Sequence, residues 1–298
     1  KFNLMSDFRI ISLFPSSSDI LLDLNLEKQL VAVSHECLDK NYYNDLPKVT
    51  STCINTNVPQ SEIDSQVRNK LKKNEPIYQI DVNLINKLKP THILTQDVCD
   101  VCAVSSNTIE VTLKDTRCEL PNDIEIISLN SKTFSGICND VLLVGKIFNK
   151  KNEANEMVYL AKKKWNSLKK SKNHKKLLML EWINPPFSPG HWIPEQIELA
   201  GFKCLFSSPG DVSKTLTWDE VHNKNPDYIG VVCCGYNENE NKEFAKKLYD
   251  LNLIQNVNAI KKENVYFFDS KNFFSKPSLK IVEGAELICN ILESKNSI

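Results

Sequence analysis

The sequence KNEANEMVYLAKKKWNSLKK, residues 151–170, predicts one long amphipathic helix that runs from Asn152 to Lys170. Its apolar residues recur at steps of three and four, so they share one face, and lysines cover the opposite face. The residues of this stripe are Ala154, Val158, Ala161, Trp165 and Leu168. Segments of alternating short strands and helices flank the helix in the sequence. We therefore interpret it as a rigid connection between two α/β lobes, which leaves a ligand cleft between the lobes.

The flanking segments place the domain boundaries. We expect an N-terminal α/β lobe over residues 1–149, a connecting helix over 150–172 and a C-terminal α/β lobe over 173–298. The predicted fold class is α/β, with two Rossmann-like lobes joined by a single long rigid helix. A chain of 298 residues that is 41% hydrophobic and 25% charged can form two cores of ordinary size.

Charge and hydropathy limit the kind of partner and the location. Lysine plus arginine and aspartate plus glutamate both total 37, so no net field would attract nucleic acid, and none is expected as a partner. No apolar run approaches the roughly 20 residues of a membrane-spanning helix. A native start at Met5 and a leader removed before Lys1 both fit the N-terminus. Two locations therefore stay open: one is periplasmic or membrane-anchored and extracytoplasmic, and the other is cytoplasmic. The ten cysteines are more typical of cytosolic thiols than of disulfides.

Unusual residues follow four of the predicted strands. They are His35-Glu36-Cys37, Gln96 to Cys102, Glu181 to Trp192, and Cys233 to Tyr236. In open α/β sheets, ligands bind beyond the carboxyl ends of the strands, because residues there vary without disturbing the sheet. We therefore predict a binding site built from these groups.

The sequence also predicts local structure elsewhere. Residues 39–57 are expected to be irregular, and Ile109 to Leu113 are expected to form a strand. Ser16, Ser17 and Ser18 are candidates for the N-cap of the first helix.

Each group also has a simpler interpretation. Cys37, Cys233 and Cys234 fit small buried residues at strand ends, as most free cysteines are. Trp182 and Trp192 can be core residues, or they can cover a ligand from a loop that three prolines stiffen. His191 can cap local backbone groups. The sequence shows no Gly-rich phosphate loop, H-E-x-x-H helix or G-x-S-x-G elbow. No catalytic constellation is present, and we expect a binding protein that is not an enzyme.

Several motifs resemble the substrate-binding proteins of metal-chelate and cobalamin ABC transporters, the type with two lobes joined by one rigid helix. The segment Arg9 to Ser16 is similar to the family's opening strand and turn, and Leu88 to Ile93 (LKPTHI) to its strand-entry pattern, which Asn225 to Ile229 repeats. Ile183 to Phe187 with Gly190 is similar to the second-lobe loop of the cobalamin-binding member. The stretches His35 to Cys37 and Thr95 to Val104 resemble a cobalamin-binding subgroup.

The resemblance implies a monomeric, non-enzymatic binder of cobalamin or a related corrinoid that delivers its ligand to an ABC transporter permease. Aromatic rings would cover the apolar rim of the corrin, while Gln96 and Asn184 would bond its peripheral amides. The candidate rings are Trp182, Trp192, Phe187, Tyr236 and Phe273 or Phe274. A cytosolic corrinoid carrier or salvage factor is the alternative. The predicted ligand-binding residues are His35, Glu36, Cys37, Gln96, Asp97, Cys99, Cys102, Glu181, Trp182, Asn184, Phe187, His191, Trp192, Tyr236 and Phe273.

The cysteines suggest a metal site in addition. Cys37, Cys99 and Cys102 all follow strand ends of one lobe, and thiolates with an imidazole suit zinc, an iron–sulfur centre or the cobalt of a corrinoid. His35 or His191 would complete the ligand set. The cobalamin-binding member lacks these cysteines, so another metal chelate or metal centre remains an alternative ligand, and polar lining remains the simpler role.

Overall fold

The computed structural model describes residues 8–37, 41–73, 75–96, 124–170 and 172–292. The predicted α/β class is confirmed, since short parallel strands alternate with helices along the chain. The single rigid helix that joins the lobes stays a prediction. The chain divides into two compact units. The first contains Lys1–Ser131 and Asn139–Asn155, and the second contains Lys132–Cys138 and Glu156–Ile298.

The first unit contains two sheets. A four-stranded parallel sheet has the order β2-β1-β5-β6, and β3 and β4 form an antiparallel pair. The strands are β1 Ile10–Ser12, β2 Leu30–Val33, β3 Thr50–Thr52, β4 Tyr78–Ile80, β5 His92–Thr95 and β6 Glu125–Ser128. The helices that begin in this part of the sequence are α1 Pro15–Asp23, α2 Asn41–Asn44, α3 Gln60–Lys72 and α4 Val82–Leu88, with a 3₁₀ turn at Glu27–Gln29.

The parallel strands of this sheet are short and strongly apolar. Ile11, Ala32 and Ile93 are completely buried and form one core with helix α4 residue Ile85. Strands that are covered on both faces read as continuous apolar runs, which is why the sequence shows them clearly. The expectation that residues 39–57 are irregular was wrong, because α2 and β3 lie there. The pairing partner of β3 is β4, far along the chain, so no local pattern announces it.

The second unit contains a four-stranded parallel sheet of order β10-β7-β11-β12 and an antiparallel pair, β8 with β9. Its strands are β7 Lys176–Leu180, β8 Trp182–Ile183, β9 Pro186–Phe187, β10 Lys203–Cys204, β11 Tyr228–Val231 and β12 Val265–Phe267. The α-helices that follow β7 are α7 Ile193–Leu199, α8 Trp218–Lys224, α9 Glu238–Lys247, α10 Asn258–Lys261, α11 Ser270–Phe273 and α12 Ile281–Cys289. The 3₁₀ turns are Leu248–Asp250, Asn252–Ile254 and Asn290–Leu292.

Two consecutive helices, α5 Phe134–Ile147 and α6 Lys151–Ser167, have residues in both units. Helix α6 corresponds to the helix predicted from Asn152 to Lys170. Its apolar stripe faces inward as expected: Ala154 and Val158 are buried, and the other three residues are half-buried. Within the first unit, Gly145 of α5 approaches Ala154 so closely that a methyl group at position 145 would collide with it.

Two helices begin with different caps. Helix α8 begins with a capping box, in which Thr217 Oγ1 accepts from the Glu220 N–H at 3.2 Å and Glu220 Oε2 accepts from the Thr217 N–H at 2.7 Å. The predicted serine cap of α1 was wrong, because Phe14 is the N-cap and Pro15 occupies the first helical position. A proline at that position loses no hydrogen bond, so the helix starts there, ahead of the serines. None of the helices among the described residues is both long and apolar enough to span a membrane.

Candidate functional site

The residues after β2 form a turn that the β3–β4 pair holds in place. The Thr50 Oγ1 of β3 accepts from the His35 backbone N–H at 3.0 Å and lies 2.7 Å from His35 Nδ1. The Tyr78 hydroxyl donates to Glu36 Oε1 at 3.1 Å, and the His35 and Tyr78 rings lie 5.6 Å apart. Burial lowers the pKa of His35, so the imidazole is neutral at pH 7. The contact with Thr50 fixes the ring and leaves Nε2 as the nitrogen that a ligand can use.

Cys37 completes this turn as a core residue. Its side chain is only 1% exposed, and its Sγ lies 3.3 Å from the Ser18 Oγ of α1. Burial raises the pKa of the Cys37 thiol to about 11, so the group is protonated at neutral pH. A thiolate, not a thiol, is the form that binds metal, so Cys37 would have to lose its proton in a low-dielectric site. The burial of Cys37 is what a small buried residue at a strand end shows, and metal binding by Cys37 stays a prediction.

Gln96 follows β5 at the same edge of the sheet. It is 6% exposed, and its Oε1 has no hydrogen-bond partner in the described part of the chain. Asp97, Cys99 and Cys102 lie outside the described residues, so the proposed contribution of these three side chains stays a prediction. The predicted strand from Ile109 to Leu113 also falls outside them. Within the described ranges, no three histidine, cysteine, aspartate or glutamate side chains are grouped so that they could hold a metal ion.

In the second unit, the loop after β7 is an ordered hairpin. Strands β8 and β9 pair around a cis peptide bond between Asn184 and Pro185. The carboxylate of Glu181 holds the far end of the loop, since Oε1 accepts from the Gly190 N–H at 2.7 Å and Oε2 from the Ser213 hydroxyl at 2.6 Å. A side chain at position 190 would collide with Ser213, so only glycine permits this approach. Glu181 is thus a positioning residue for the loop.

Four predicted ligand residues follow strands β7 and β11 of the four-stranded sheet in the second unit. Trp182 of β8 is half-buried, and its ring centroid lies 5.8 Å from that of Tyr236, which follows β11. Tyr236 also packs edge-to-face against Phe244 of α9, with the ring centroids 4.9 Å apart, and this contact helps to fix the Tyr236 ring. Asn184 at the tip of the hairpin is exposed, and Phe187 of β9 is half-buried. This end of the sheet therefore presents partly exposed rings beside an exposed amide.

The structure separates other predicted residues from this surface. Trp192 is 4% exposed, and its Nε1 donates to the Phe274 carbonyl at 2.9 Å, so it is a core residue. Phe274 is buried as well, which leaves the half-buried Phe273 as the candidate of that pair. Cys233 is buried and its N–H donates to Asn241 Oδ1 at 2.9 Å, whereas its neighbour Cys234 is exposed.

His191 occupies a strained and poorly solvated position. Its φ is 53°, in the left-handed region, and its backbone N–H donates to the Asp211 carbonyl at 2.6 Å. The ring Nδ1 is buried with no hydrogen-bond partner in the described part of the chain. Burial, with a smaller contribution from Lys132, lowers the pKa of His191 to about 4. The imidazole is therefore neutral at pH 7, like that of His35.

Comparison with known proteins identifies the architecture. The profile of the family described as periplasmic binding protein matches residues 10–272, which is most of the chain. The chain belongs to this family. The resemblance expected from the motifs is thereby confirmed.

Solved structures of other periplasmic binding proteins share the fold. The periplasmic heme-binding protein HutB of Vibrio cholerae is 19% identical, with a TM-score of 0.70 over 97% of this chain and 100% of that one. IsdE of S. aureus, solved with heme, is 18% identical, with a TM-score of 0.68 over 96% and 98% of the two chains. The periplasmic vitamin B12 binding protein BtuF of Vibrio cholerae is 16% identical, with a TM-score of 0.65 over 96% of each chain. At identities this low, the similarity establishes the fold, and the ligand has to be argued from the residues. No curated protein matches the chain.

One candidate position was not found from the sequence. Ser16, after β1, is 1% exposed, and its Oγ has no hydrogen-bond partner in the described part of the chain. The sequence suggested Ser16 only as a helix cap, a role that serines fill commonly. A serine hydroxyl without a partner is visible only once the neighbouring atoms are placed.

Proposed function

We propose that this periplasmic binding protein is the substrate-binding component of an ABC importer and that its ligand is a corrinoid. A corrin is a broad disc with an apolar rim and peripheral amides. Partly exposed aromatic rings beside amide groups match that chemistry, because rings cover the rim while amides pair with amides. The surface that carries the proposal is the Trp182–Tyr236 pair next to the exposed Asn184.

Rigidity of this surface supports a binding role. The Glu181 carboxylate anchors Gly190 and Ser213, so the hairpin that carries Trp182 and Asn184 is ordered by short hydrogen bonds. A preorganised surface loses little conformational entropy when a ligand binds, which favours affinity. In the first unit, the side chain of Gln96 and the turn at His35 and Glu36 present polar groups at the ends of β5 and β2. The similarity to the B12-binding protein BtuF is consistent with this assignment.

A second candidate ligand is haem. HutB and IsdE, which share the fold, are described as heme-binding and as complexed with heme. Haem iron binds a neutral imidazole, and His35 is neutral, with Nδ1 held by Thr50 and Nε2 left for a ligand. An axial ligand of this kind is essential for many haem sites and dispensable for a corrinoid whose cobalt already carries its axial groups.

Titration calorimetry with cobalamin, cobinamide and haem tests the proposal. We expect saturable one-to-one binding of cobalamin and cobinamide by the folded, ligand-free protein. Binding of haem alone, lost in His35→Ala, would replace the corrinoid by haem. No heat with any of the three would overturn the proposal.

A pair of tyrosines provides a matched control for the site. Tyr228 begins β11 and Tyr236 follows the same strand, and both are half-buried. In a parallel sheet, the two ends of one strand lie at opposite edges, so only Tyr236 belongs to the proposed surface. We expect Tyr236→Leu to weaken corrinoid binding about tenfold, the value of a lost aromatic contact of about 1.4 kcal/mol, and Tyr228→Leu to leave it unchanged.

The proposal includes an ABC permease as partner, an extracytoplasmic location, a monomeric state and no enzymatic activity. A cytosolic corrinoid carrier is the alternative, since it would use the same ligand surface without a permease. The coding sequence upstream of Lys1 discriminates between the two. A secretory or lipoprotein leader there would exclude the cytosolic carrier.

A further inference from the structure

Helix α1 begins at the carboxyl end of β1 without any of the usual caps. Its N-cap residue, Phe14, has no side-chain hydrogen bond, and the first turn contains no acidic residue. The first N–H groups of a helix have no partner within the helix, and the positive end of the helix dipole lies there. Within the described ranges, the N–H groups of Ser16 and Ser17 donate to no acceptor.

The three serines of this first turn differ in their bonding. Ser17 Oγ donates to the Phe14 carbonyl at 3.0 Å, and Ser18 Oγ donates to Ser12 Oγ at 2.7 Å. Ser16 Oγ is buried and has no partner in the described part of the chain. A buried hydroxyl without a partner is unfavourable, because the hydrogen bonds that water made to it have been lost. Ser16 thus adds a third unused donor beside two unused N–H groups.

A second unpartnered group lies at the neighbouring strand end. Strand β5 pairs with β1, with Leu94 opposite Ser12, and the Leu13 N–H donates to the Leu94 carbonyl at 3.0 Å. Gln96, two residues beyond Leu94, therefore follows its strand beside the turn that starts α1. Its buried Oε1 has no partner among the described residues. A rotation of 180° about its last bond exchanges the oxygen and the NH₂ of the amide, so Gln96 can offer either to a ligand.

We propose that the first turn of α1, with Ser16 and Gln96, is a subsite for a negatively charged oxygen group of the ligand. Helix N-termini bind such groups through free N–H donors and the helix dipole. The inference rests on the proposed function, and it specifies which part of the ligand this edge recognises. In cobalamin the group is the phosphodiester of the nucleotide loop, and in haem it is a propionate carboxylate. Cobinamide lacks the phosphodiester and should leave the subsite unused.

The test compares cobalamin with cobinamide on Ser16→Ala. Loss of a hydrogen bond to a charged group corresponds to roughly a tenfold to hundredfold loss of affinity. We expect that loss for cobalamin and no change for cobinamide. Ser18→Ala is the matched control, since Ser18 lies on the same turn but its hydroxyl already bonds Ser12. It should not change the ratio of the two affinities.

Inorganic phosphate provides a readout that a structural role of Ser16 would not affect. Millimolar phosphate should weaken binding of cobalamin and leave binding of cobinamide unchanged in the wild-type protein. If haem proves to be the ligand, haem and its dimethyl ester form the corresponding pair. Gln96→Leu serves as a second variant should Ser16→Ala fold poorly.

The outcomes separate this inference from the proposed function. Equal affinity changes for cobalamin and cobinamide, or none, would overturn the subsite and leave the binding function intact. Wild-type protein that binds no corrinoid and no haem would overturn both. Selective loss of cobalamin affinity in Ser16→Ala, with competition by phosphate, would establish the subsite.

Discussion

Replacing Glu181 tests whether one carboxylate holds the β8–β9 hairpin in place. Its two oxygens accept from the Gly190 N–H at 2.7 Å and from the Ser213 hydroxyl at 2.6 Å. Hydrogen bonds to charged groups contribute about 1.5–3 kcal/mol each, and a buried N–H left without an acceptor costs about 1–3 kcal/mol. Gly190 is buried, whereas the half-buried Ser213 can reach water. We therefore expect Glu181→Ala to lower the free energy of unfolding by about 3–5 kcal/mol.

The isosteric variant separates charge from shape. Glu181→Gln keeps one oxygen for the Gly190 N–H, and the Ser213 hydroxyl can rotate to accept from the new NH₂ group. Only the charge of the acceptor is lost, so we expect a decrease of about 1–2 kcal/mol. Because Trp182 and Asn184 lie on the same hairpin, Glu181→Ala should also weaken ligand binding.

Equilibrium urea unfolding, followed by tryptophan fluorescence, measures both variants. A double-mutant cycle with Ser213→Ala should give a coupling energy of about 1–3 kcal/mol, since the two side chains are in direct contact. Glu156→Ala is the control, because Glu156 is an exposed helix residue, and it should change the free energy by less than about 0.5 kcal/mol. If Glu181→Ala behaves like this control, then the hairpin is held by other contacts and the argument for its rigidity fails.

Three further predictions concern packing, thiol reactivity and pH. Gly145→Ala should destabilise the protein by about 1–2 kcal/mol in urea unfolding, because the collision of the new methyl group with Ala154 and with the Lys150 carbonyl oxygen outweighs the gain in helix propensity. A stabilised Gly145→Ala would contradict the close approach. Iodoacetamide at pH 8 should modify the exposed Cys234 in the native protein and Cys37 only after unfolding. Mass spectrometry of the peptides measures both, and modification of Cys37 in the native protein would refute its burial. The pKa of His191 is about 4 in the folded state and 6.5 for the free group, so the unfolded chain binds the proton first and stability falls as pH falls from 6.5 to 4. His191→Asn should make urea unfolding less dependent on pH in that range, and an unchanged dependence would count against the depressed pKa.

Local patterns in the sequence indicate several elements of this protein. The strand Lys176–Leu180 ends in four consecutive apolar residues that are all buried, and such a run is recognisable in the sequence without distant information. The capping box at Thr217 depends only on two residues three positions apart. The helix Lys151–Ser167 and its stripe follow from the period of 3.6 residues. The family resemblance also depended on short motifs in the sequence, and the match to the family profile confirmed it.

The candidate site was predicted only in outline. The rule that ligands bind beyond strand ends directed attention to His35, Gln96 and the hairpin after Leu180, and the structure places these groups at such ends. It could not distinguish the half-exposed Trp182 from the buried Trp192, since both lie on the same proline-rich segment. Burial depends on which distant residues pack against a side chain, and here the Trp192 Nε1 donates to the carbonyl of Phe274, 82 positions away.

Tertiary contacts also decided the electrostatics of the site. The pKa of Cys37 rises because the fold removes its thiol from water, and the pKa of His191 falls for the same reason. The Glu181 carboxylate binds both Gly190 and Ser213, although Ser213 is 32 positions away in the sequence. Only the folded chain brings these groups together. The Ser16 hydroxyl has no hydrogen-bond partner among the described residues, a property that depends on the atoms packed around that helix start. Sequence period specifies which face of an element is apolar, but hydrogen bonding and solvation at a site are set by atoms that the chain brings together only on folding.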